Sequence, residues 1–231
     1  TQDSSSAASD VYKRQFDWMS GSDGFVFSSN YTEDWEYDFR NSEIYSISVN
    51  GSNLQQLTDR NGPDMGAAVS PDGKSIAYLG YEDKVQTYQI NNLTIMDVDG
   101  SNKRTIDIEL DRNIESLKWS ADGKNLYFMY DNYGNTKIAT TNLNGRVRKL
   151  IDDVGGTSIG RPYGGGSFSV SLEGEISYTL TSPYHPADIG YYEGNSFKRL
   201  TNLNNDLLRG KDLGVIEEIW YNSSVDGRKI Q

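Results

Sequence analysis

The stretch Ser70-Pro-Asp-Gly-Lys-Ser-Ile-Ala-Tyr78 combines a tight turn with the start of a β-strand. Asp-Gly supplies the positive φ that a hairpin turn needs, and the apolar run that follows is rich in strand-forming residues. The same unit of turn and strand occurs four times, with Asp or Glu before the glycine. Its glycines are spaced 49, 50 and 51 residues apart: Gly24, Gly73, Gly123 and Gly174. A repeat of this length predicts a chain built from similar structural units.

A second glycine series runs in step with the first. These glycines follow a strand-like run and are spaced 49, 45 and 49 residues apart: Gly51, Gly100, Gly145 and Gly194. A short strand that ends in a Leu-Thr-like pair follows each of them: Leu57-Thr58, Thr105-Ile106, Leu150-Ile151 and Leu200-Thr201. Two interleaved series with one period indicate a true structural repeat.

Each repeat holds four strand-like segments joined by turns. Four antiparallel strands in about 40–50 residues are the signature of a β-propeller blade. The sequence therefore predicts an all-β fold, a partial β-propeller over residues 16–202 with about four four-stranded blades. We expect these blades at residues 16–60, 63–109, 114–152 and 164–202. Asn113–Trp119 alternates in polarity and is expected to be an innermost strand, and no segment shows a helical apolar stripe of ten or more residues.

The composition excludes several classes of function. The formal charge of −11, from 22 basic and 33 acidic residues, argues against a nucleic-acid or anionic-membrane surface. Disulfides and thiolate chemistry are excluded because there is no cysteine, and the single histidine, His185, excludes multi-histidine metal sites. No apolar run of about 18 residues is present, so we expect no membrane span. No cofactor and no metal are expected.

The two ends of the chain have a different character from the repeats. Residues 1–15 are polar and low in complexity, and Val11-Tyr-Lys-Arg-Gln15 is typical of translated adapter sequence in a metagenomic assembly. We therefore expect residues 1–15 to be a disordered tail or a sequence scar. Residues 203–231 stop inside a strand-like run, Gly227–Gln231, without a closing element. Both ends suggest a fragment.

The repeat unit resembles the WD40-like repeats of bacterial propellers, which occur in TolB-type proteins and in the prolyl oligopeptidase family of serine peptidases. Two later parts resemble the acylaminoacyl-peptidase or dipeptidyl-aminopeptidase branch of that family. Gly160-Arg-Pro-Tyr-Gly-Gly-Gly-Ser-Phe-Ser169 and Ser182-Pro-Tyr-His-Pro-Ala-Asp188 are similar to its last blade. Arg199–Leu208 and Glu217–Gln231 are similar to its passage from propeller to α/β-hydrolase domain. The resemblance covers residues 16–231.

This resemblance implies a propeller that restricts the access of short peptides to a serine peptidase. It also implies that the catalytic residues belong to a hydrolase domain in cis that follows residue 231, so no catalytic residue is assigned in this chain. The main alternative is a non-enzymatic TolB-like propeller that binds a protein partner. An interaction module from a cell-surface propeller is a further alternative. We expect a periplasmic or secreted location slightly more than a cytoplasmic one, because related bacterial enzymes often carry a secretion signal.

Few residues stand out as site candidates. Arg161 and Tyr163 lie in a glycine-rich stretch near a blade junction and are weak candidates for substrate binding; the simpler interpretation of Arg161 is an ion pair between blades. Ser158 falls in a literal G-x-S-x-G, but Pro162 and the glycines after it exclude the helix that a nucleophile elbow requires. We therefore expect a connecting loop there.

The remaining candidates have structural interpretations. His185 lies between proline-flanked turns and is expected to be a surface turn residue. Asp97-x-Asp99-Gly100 and Asp122-Gly123 share features with calcium loops, but position 12 counted from Asp97 is Ile108 rather than Glu, so hairpin turns are expected. Glu217-Glu218 does not match the place of the glutamate pair that grips a free peptide N-terminus in dipeptidyl peptidases.

Overall fold

The first blade is a four-stranded antiparallel meander. In the computed structural model, which describes residues 16–156 and 165–231, the strands of this blade pair in the order β1-β2-β3-β4. These strands are β1 (Phe16–Trp18), β2 (Gly24–Ser29), β3 (Glu43–Ser48) and β4 (Gln55–Gln56). A three-residue 3₁₀ turn, Ser20–Ser22, connects β1 to β2.

The second blade repeats this meander and shows the chemistry of the repeated turn. Its strands pair in sequence order: β5 (Asp64–Val69), β6 (Ser75–Gly80), β7 (Asn92–Asp97) and β8 (Arg104–Ile106). In the turn between β5 and β6, Asp72 Oδ1 accepts hydrogen bonds from Ser70 Oγ at 2.6 Å and from the Lys74 amide at 3.1 Å. Gly73 has φ +70°, a left-handed conformation that glycine adopts without steric cost.

The third and fourth blades share one eight-stranded sheet. The third contains β9 (Ile114–Trp119), β10 (Asn125–Asn132), β11 (Asn135–Asn142) and β12 (Val147–Val154). The fourth contains β13 (Phe168–Val170), β14 (Ile176–Ser182), β15 (His185–Glu193) and β16 (Ser196–Arg199). The sheet is continuous because β14 pairs with β13 along one stretch and with the end of β12, at Val154 opposite Leu180, along another.

The chain divides into two compact units, and the division runs through the third blade. One unit holds residues 16–130 and 139–149 of the described chain, and the other holds residues 131–138 and the described residues from 150 onward.

The core of the first unit lies on both sides of β6. Ile76 and Tyr78 face the first blade, where they pack in a cluster with Val26 and Ile44. Ala77 and Leu79 point the other way, into a cluster that contains Phe128 of the third blade. Because side chains alternate between the two faces of a strand, a strand buried on both faces is apolar along most of its length, as β6 is.

Polar bonds between inner strands reinforce this packing. Asp17 Oδ2 in β1 accepts a hydrogen bond from the Val69 amide in β5 at 2.8 Å. Trp119 Nε1 in β9 donates to the carbonyl oxygen of Ala68 in β5 at 2.9 Å. The three inner strands of this unit are therefore linked by side chains as well as by apolar contact.

The Leu-Thr pairs have a specific structural role in two blades. In the first blade, Thr58 Oγ1 accepts from the Ile44 amide at 2.9 Å and donates to Glu43 Oε2. In the fourth blade, Thr201 Oγ1 accepts from the Ile189 amide at 2.9 Å and donates to Asp188 Oδ1 at 2.9 Å. One hydroxyl thus binds a backbone N–H and a buried carboxylate at once, and it links the segment after the outer strand to the neighbouring strand.

The third blade uses charge at the same two positions. Lys137, which lies eight residues before Gly145, forms an ion pair with Asp152, seven residues after it. These residues correspond to Glu43 and Thr58 around Gly51. At these two positions an ion pair thus replaces the hydrogen bond between a hydroxyl and a carboxylate.

The segment after the fourth blade contains a short helix, α1 (Asn205–Leu208), and a hairpin of β17 (Tyr221–Asn222) with β18 (Lys229–Ile230). Trp220 packs edge-on against Tyr133 at the tip of the β10–β11 hairpin, with ring centroids 5.1 Å apart. Across residues 16–156 and 165–231, no helix has the length and apolar character needed to cross a membrane.

Candidate functional site

Three of the residues singled out from the sequence lie outside the described part of the chain. These are Arg161 and Tyr163, the weak candidates for substrate binding, and Ser158 of the G-x-S-x-G match. Their expected roles remain predictions.

The histidine and the paired glutamates are exposed and lie apart in the sequence. His185 begins β15 opposite Ser182, directly after the two-residue turn, so it is a strand residue at a hairpin end rather than a turn residue. Glu218 accepts a hydrogen bond from the indole N–H of Trp220.

The calcium-like sequences are hairpin turns. Asp99 Oδ1 accepts from the amide and the hydroxyl of Ser101 at 2.9 and 2.6 Å. Asp122 Oδ1 likewise accepts from Ser120 Oγ at 2.7 Å and from the Lys124 amide at 3.1 Å. These bonds lower the pKa of both carboxyl groups. In the described ranges, no group of three or more His, Cys, Asp or Glu residues is placed to hold a metal ion.

A pocket of about 360 Å³ lies in the first unit, at the edge of the first blade. The loop before β3, strands β3 and β4, and the connector to the second blade form its wall. It is lined by Tyr31, Thr32, Asn41, Glu43, Tyr45, Gln56, Asp59, Arg60 and Asn61. It therefore combines aromatic rings, carboxylates and amides on one open concave surface.

Tyr45 carries the aromatic side of this pocket. Its ring stacks on Phe27 at 5.8 Å between centroids and meets the edge of Tyr31 at 4.9 Å. The Tyr45 side chain is almost fully buried, whereas Tyr31 is 60% exposed. Tyr45 is thus fixed by packing, and Tyr31 forms an open rim.

Glu43 is the buried acid of the pocket. Burial raises its pKa to about 7; the Thr58 hydrogen bond opposes this rise, and the nearby carboxylate of Asp64 adds to it. The corresponding acid of the fourth blade, Asp188, has Arg199 as an ion-pair partner. Glu43 instead has two acidic neighbours, Asp59 and Asp64, which disfavour its charged form.

Arg60 is held at the pocket wall by a buried ion pair with Asp64. Its guanidinium also lies over the Tyr78 ring, 5.9 Å from the centroid. Burial nevertheless raises the pKa of Asp64, although the adjacent Arg60 opposes the effect. Gly80 makes room for the pair, because a Cβ there would lie 2.1 Å from Asp64 Oδ1 and 2.4 Å from the Pro63 carbonyl oxygen.

The pKa of Glu43 predicts a fall in stability as pH rises. A carboxyl group with a raised folded-state pKa stabilises the fold fully below its unfolded value, here 4.5, and the contribution is lost as pH rises through about 7. The expected loss between pH 4.5 and pH 8 is at most roughly 3 kcal/mol. Glu43→Gln should flatten this dependence in urea unfolding measured at pH 5 and pH 8. Glu36→Gln, an exposed control in the same blade, should leave the difference in unfolding free energy between pH 5 and pH 8 unchanged. If Glu43→Gln also left that difference unchanged, the raised pKa of Glu43 would be contradicted.

Sequence reasoning did not identify this pocket. Its residues come from three separate segments, and only their pairing in the blade brings them together. One signal was present: Glu43 precedes Ile44 as Asp188 precedes Ile189, and each is followed by a Leu-Thr pair. Alignment of the repeats would have placed a buried carboxylate at this position.

Comparisons with known proteins agree with a propeller. No family model matches the chain. Dipeptidyl-peptidase 5 from Arthroderma otae is 28% identical over 207 residues, which cover 81% of this chain and 27% of that protein. Dipeptidyl-peptidase 5 from Porphyromonas gingivalis is 23% identical over 138 residues, or 58% and 20% of the two chains. The chain thus matches less than a third of the length of these relatives.

The solved structures are similar in fold. An acylaminoacyl peptidase from Pyrococcus horikoshii matches with a TM-score of 0.65 and 19% identity, covering 94% of this chain and 31% of that one. TolB from Acinetobacter baumannii matches with a TM-score of 0.55 and 22% identity, covering 70% and 38% of the two chains. The chain therefore has the β-propeller fold of these neighbours, and its sequence is similar to dipeptidyl-peptidase 5 proteins.

Proposed function

We propose that the chain is part of a propeller domain that restricts substrate access to a serine-type oligopeptidase. The observation that carries this proposal is the similarity to dipeptidyl-peptidase 5 over 81% of the chain. The structural match to acylaminoacyl peptidase supports it, because its 94% coverage extends beyond the four blades. TolB structures, by comparison, are matched over 70% and 80% of the chain.

The physical basis of such gating is a size limit. The strand β6 is buried on both faces, and blades packed in this way move less than a flexible loop does. An opening framed by such blades therefore has a nearly fixed width. An extended short peptide passes such an opening, and a folded protein does not. In this proposal the nucleophile, its base and the oxyanion hole belong to an α/β-hydrolase domain outside the 231 residues, and short peptides and that domain are the partners.

A TolB-like binding module is the second candidate. It is favoured by the TolB match, and it needs no hydrolase domain. In this case the blades would present a rigid surface to a protein partner. The periplasmic or secreted location expected from the sequence is compatible with both candidates and stays a prediction.

The coding region after residue 231 distinguishes the two candidates. The oligopeptidase proposal predicts an α/β-hydrolase domain that contains a G-x-S-x-G nucleophile elbow between a strand and a helix. The encoded serine should react with a fluorophosphonate probe, and its replacement by alanine should abolish labelling. A stop codon or further blades with the same period would contradict the peptidase proposal and favour the binding module.

A further inference from the structure

We propose that the pocket of the first blade binds the alkylated ammonium group of a small organic cation. The pocket is the surface lined by Tyr31, Glu43, Tyr45, Gln56, Asp59 and Arg60. This inference is independent of the peptidase proposal, since it rests on residues of the first unit alone.

The charges around the pocket favour a cation. Glu43 and Asp59 line it, and Asp64 lies close enough to Glu43 to act on its ionisation. The one positive group in the lining, Arg60, is already engaged by Asp64. In the described lining, the carboxylates of Glu43 and Asp59 thus accompany an arginine that is already paired with Asp64, and a bound cation would add a favourable positive charge.

The open aromatic side of the pocket favours an alkylated cation. The Tyr45 ring is covered by Phe27 and by the edge of Tyr31, so the accessible aromatic surface is the ring of Tyr31. Cations bind over aromatic faces by attraction to the ring electrons, and recognition of quaternary ammonium ions commonly uses such walls. Tyr31 is 60% exposed and is free to pack on a ligand.

The other lining groups argue against a metal ion or an anion. Asn41 Oδ1 accepts from the Gly62 amide at 3.2 Å, and Gln56 Nε2 donates to the Thr58 carbonyl at 2.8 Å, so both amides already serve the backbone. Ca²⁺ and Mg²⁺ take six or more ligands, mostly oxygen, and the described residues contain no cluster of three or more His, Cys, Asp or Glu side chains placed to hold a metal ion. An anion would meet Glu43 and Asp59.

The test compares choline with 3,3-dimethyl-1-butanol, which has the same shape without the charge. Saturation-transfer NMR on the 231-residue chain at pH 8 should show choline binding and at least tenfold weaker binding of the alcohol. Tyr31→Ala should weaken choline binding by about fivefold. Tyr88→Ala is the matched control, because Tyr88 is 62% exposed in the second blade and outside the pocket lining, and it should have no effect.

The acid provides a second arm of the test. Glu43→Gln preserves size and the bond to Thr58 but removes the charge, and it should weaken choline binding about tenfold. Choline binding by the unaltered chain should weaken between pH 8 and pH 5.5, since choline keeps its charge while Glu43 protonates beside Asp59, Asp64, Arg60 and Tyr45. Equal binding of the alcohol, or choline binding that neither variant changes, would overturn the proposal. So would an absence of choline binding by a chain whose circular dichroism shows folded β-sheet.

Discussion

Phe128→Ala is expected to lower the free energy of unfolding by about 3–5 kcal/mol. Phe128 is fully buried on β10, in the cluster between the second and third blades, and its ring packs 6.0 Å from that of Tyr130. Truncation removes buried apolar surface and leaves a cavity that rigid strands on both sides cannot fill. The measurement is urea unfolding of the 231-residue chain, followed by tryptophan fluorescence.

The matched control for this variant is Phe39→Ala. Phe39 is 57% exposed, so the same chemical change should shift stability by about 0.5 kcal/mol or less. Equal unfolding midpoints for the two variants would show that the cluster between the second and third blades is not a packed core.

Gly145→Ala is expected to be similarly damaging for a different reason. Gly145 has φ +85°, and a Cβ there would lie 1.8 Å from the carbonyl oxygen of Asp107, in the connector after the second blade. The left-handed backbone costs an alanine about 1–2 kcal/mol. Displacing the backbone of the connector adds a further ~1–3 kcal/mol, as overpacking does in well-filled cores.

Gly51→Ala separates these two contributions. Gly51 occupies the same turn of the first blade, with φ +80°, but nothing lies within 4 Å of its Cβ position. It should therefore lose only the backbone contribution of about 1–2 kcal/mol. Thermal unfolding of both variants under one condition measures the difference. If Gly145→Ala were no worse than Gly51→Ala, the third blade would not pack on this connector.

The strands could be predicted from the sequence because their determinants are local. Asp72 closes its turn through residues within two positions of it, and Gly73 takes the positive φ that the Asp-Gly signal indicates. The same holds for the turn of Asp122, so an Asp-Gly followed by an apolar run was sufficient to locate a hairpin. A period of about 50 residues then gave the blade.

Features that depend on distant residues could not be predicted in this way. The joining of the third and fourth blades rests on Val154 opposite Leu180, a contact between residues far apart in the sequence. The pocket likewise depends on Tyr31, Glu43 and Arg60, which belong to three segments with no shared motif. The predicted candidates Arg161 and Tyr163 lie outside the described residues, so the structure leaves them as predictions.

The hydrogen bonds of two threonines explain the Leu-Thr pattern that the sequence repeats. Thr58 and Thr201 follow the outer strands of different blades, and each hydroxyl joins a backbone amide to a buried carboxylate. In the third blade Lys137 and Asp152 occupy the positions of Glu43 and Thr58, and an ion pair makes the link instead. The pattern therefore marks a site where two strands must be tied together.

The most direct test of the gating proposal is the dependence of cleavage on substrate size, measured with the full-length product of the gene. We predict that it hydrolyses aminoacyl and short peptide reporters, that kcat/KM falls steeply as peptides lengthen, and that folded proteins are not cleaved. Loss of activity when the serine after residue 231 is replaced would confirm that the reaction is serine-dependent. Equal cleavage of short peptides and folded proteins, or a full-length product with no serine-dependent hydrolysis, would contradict the proposal.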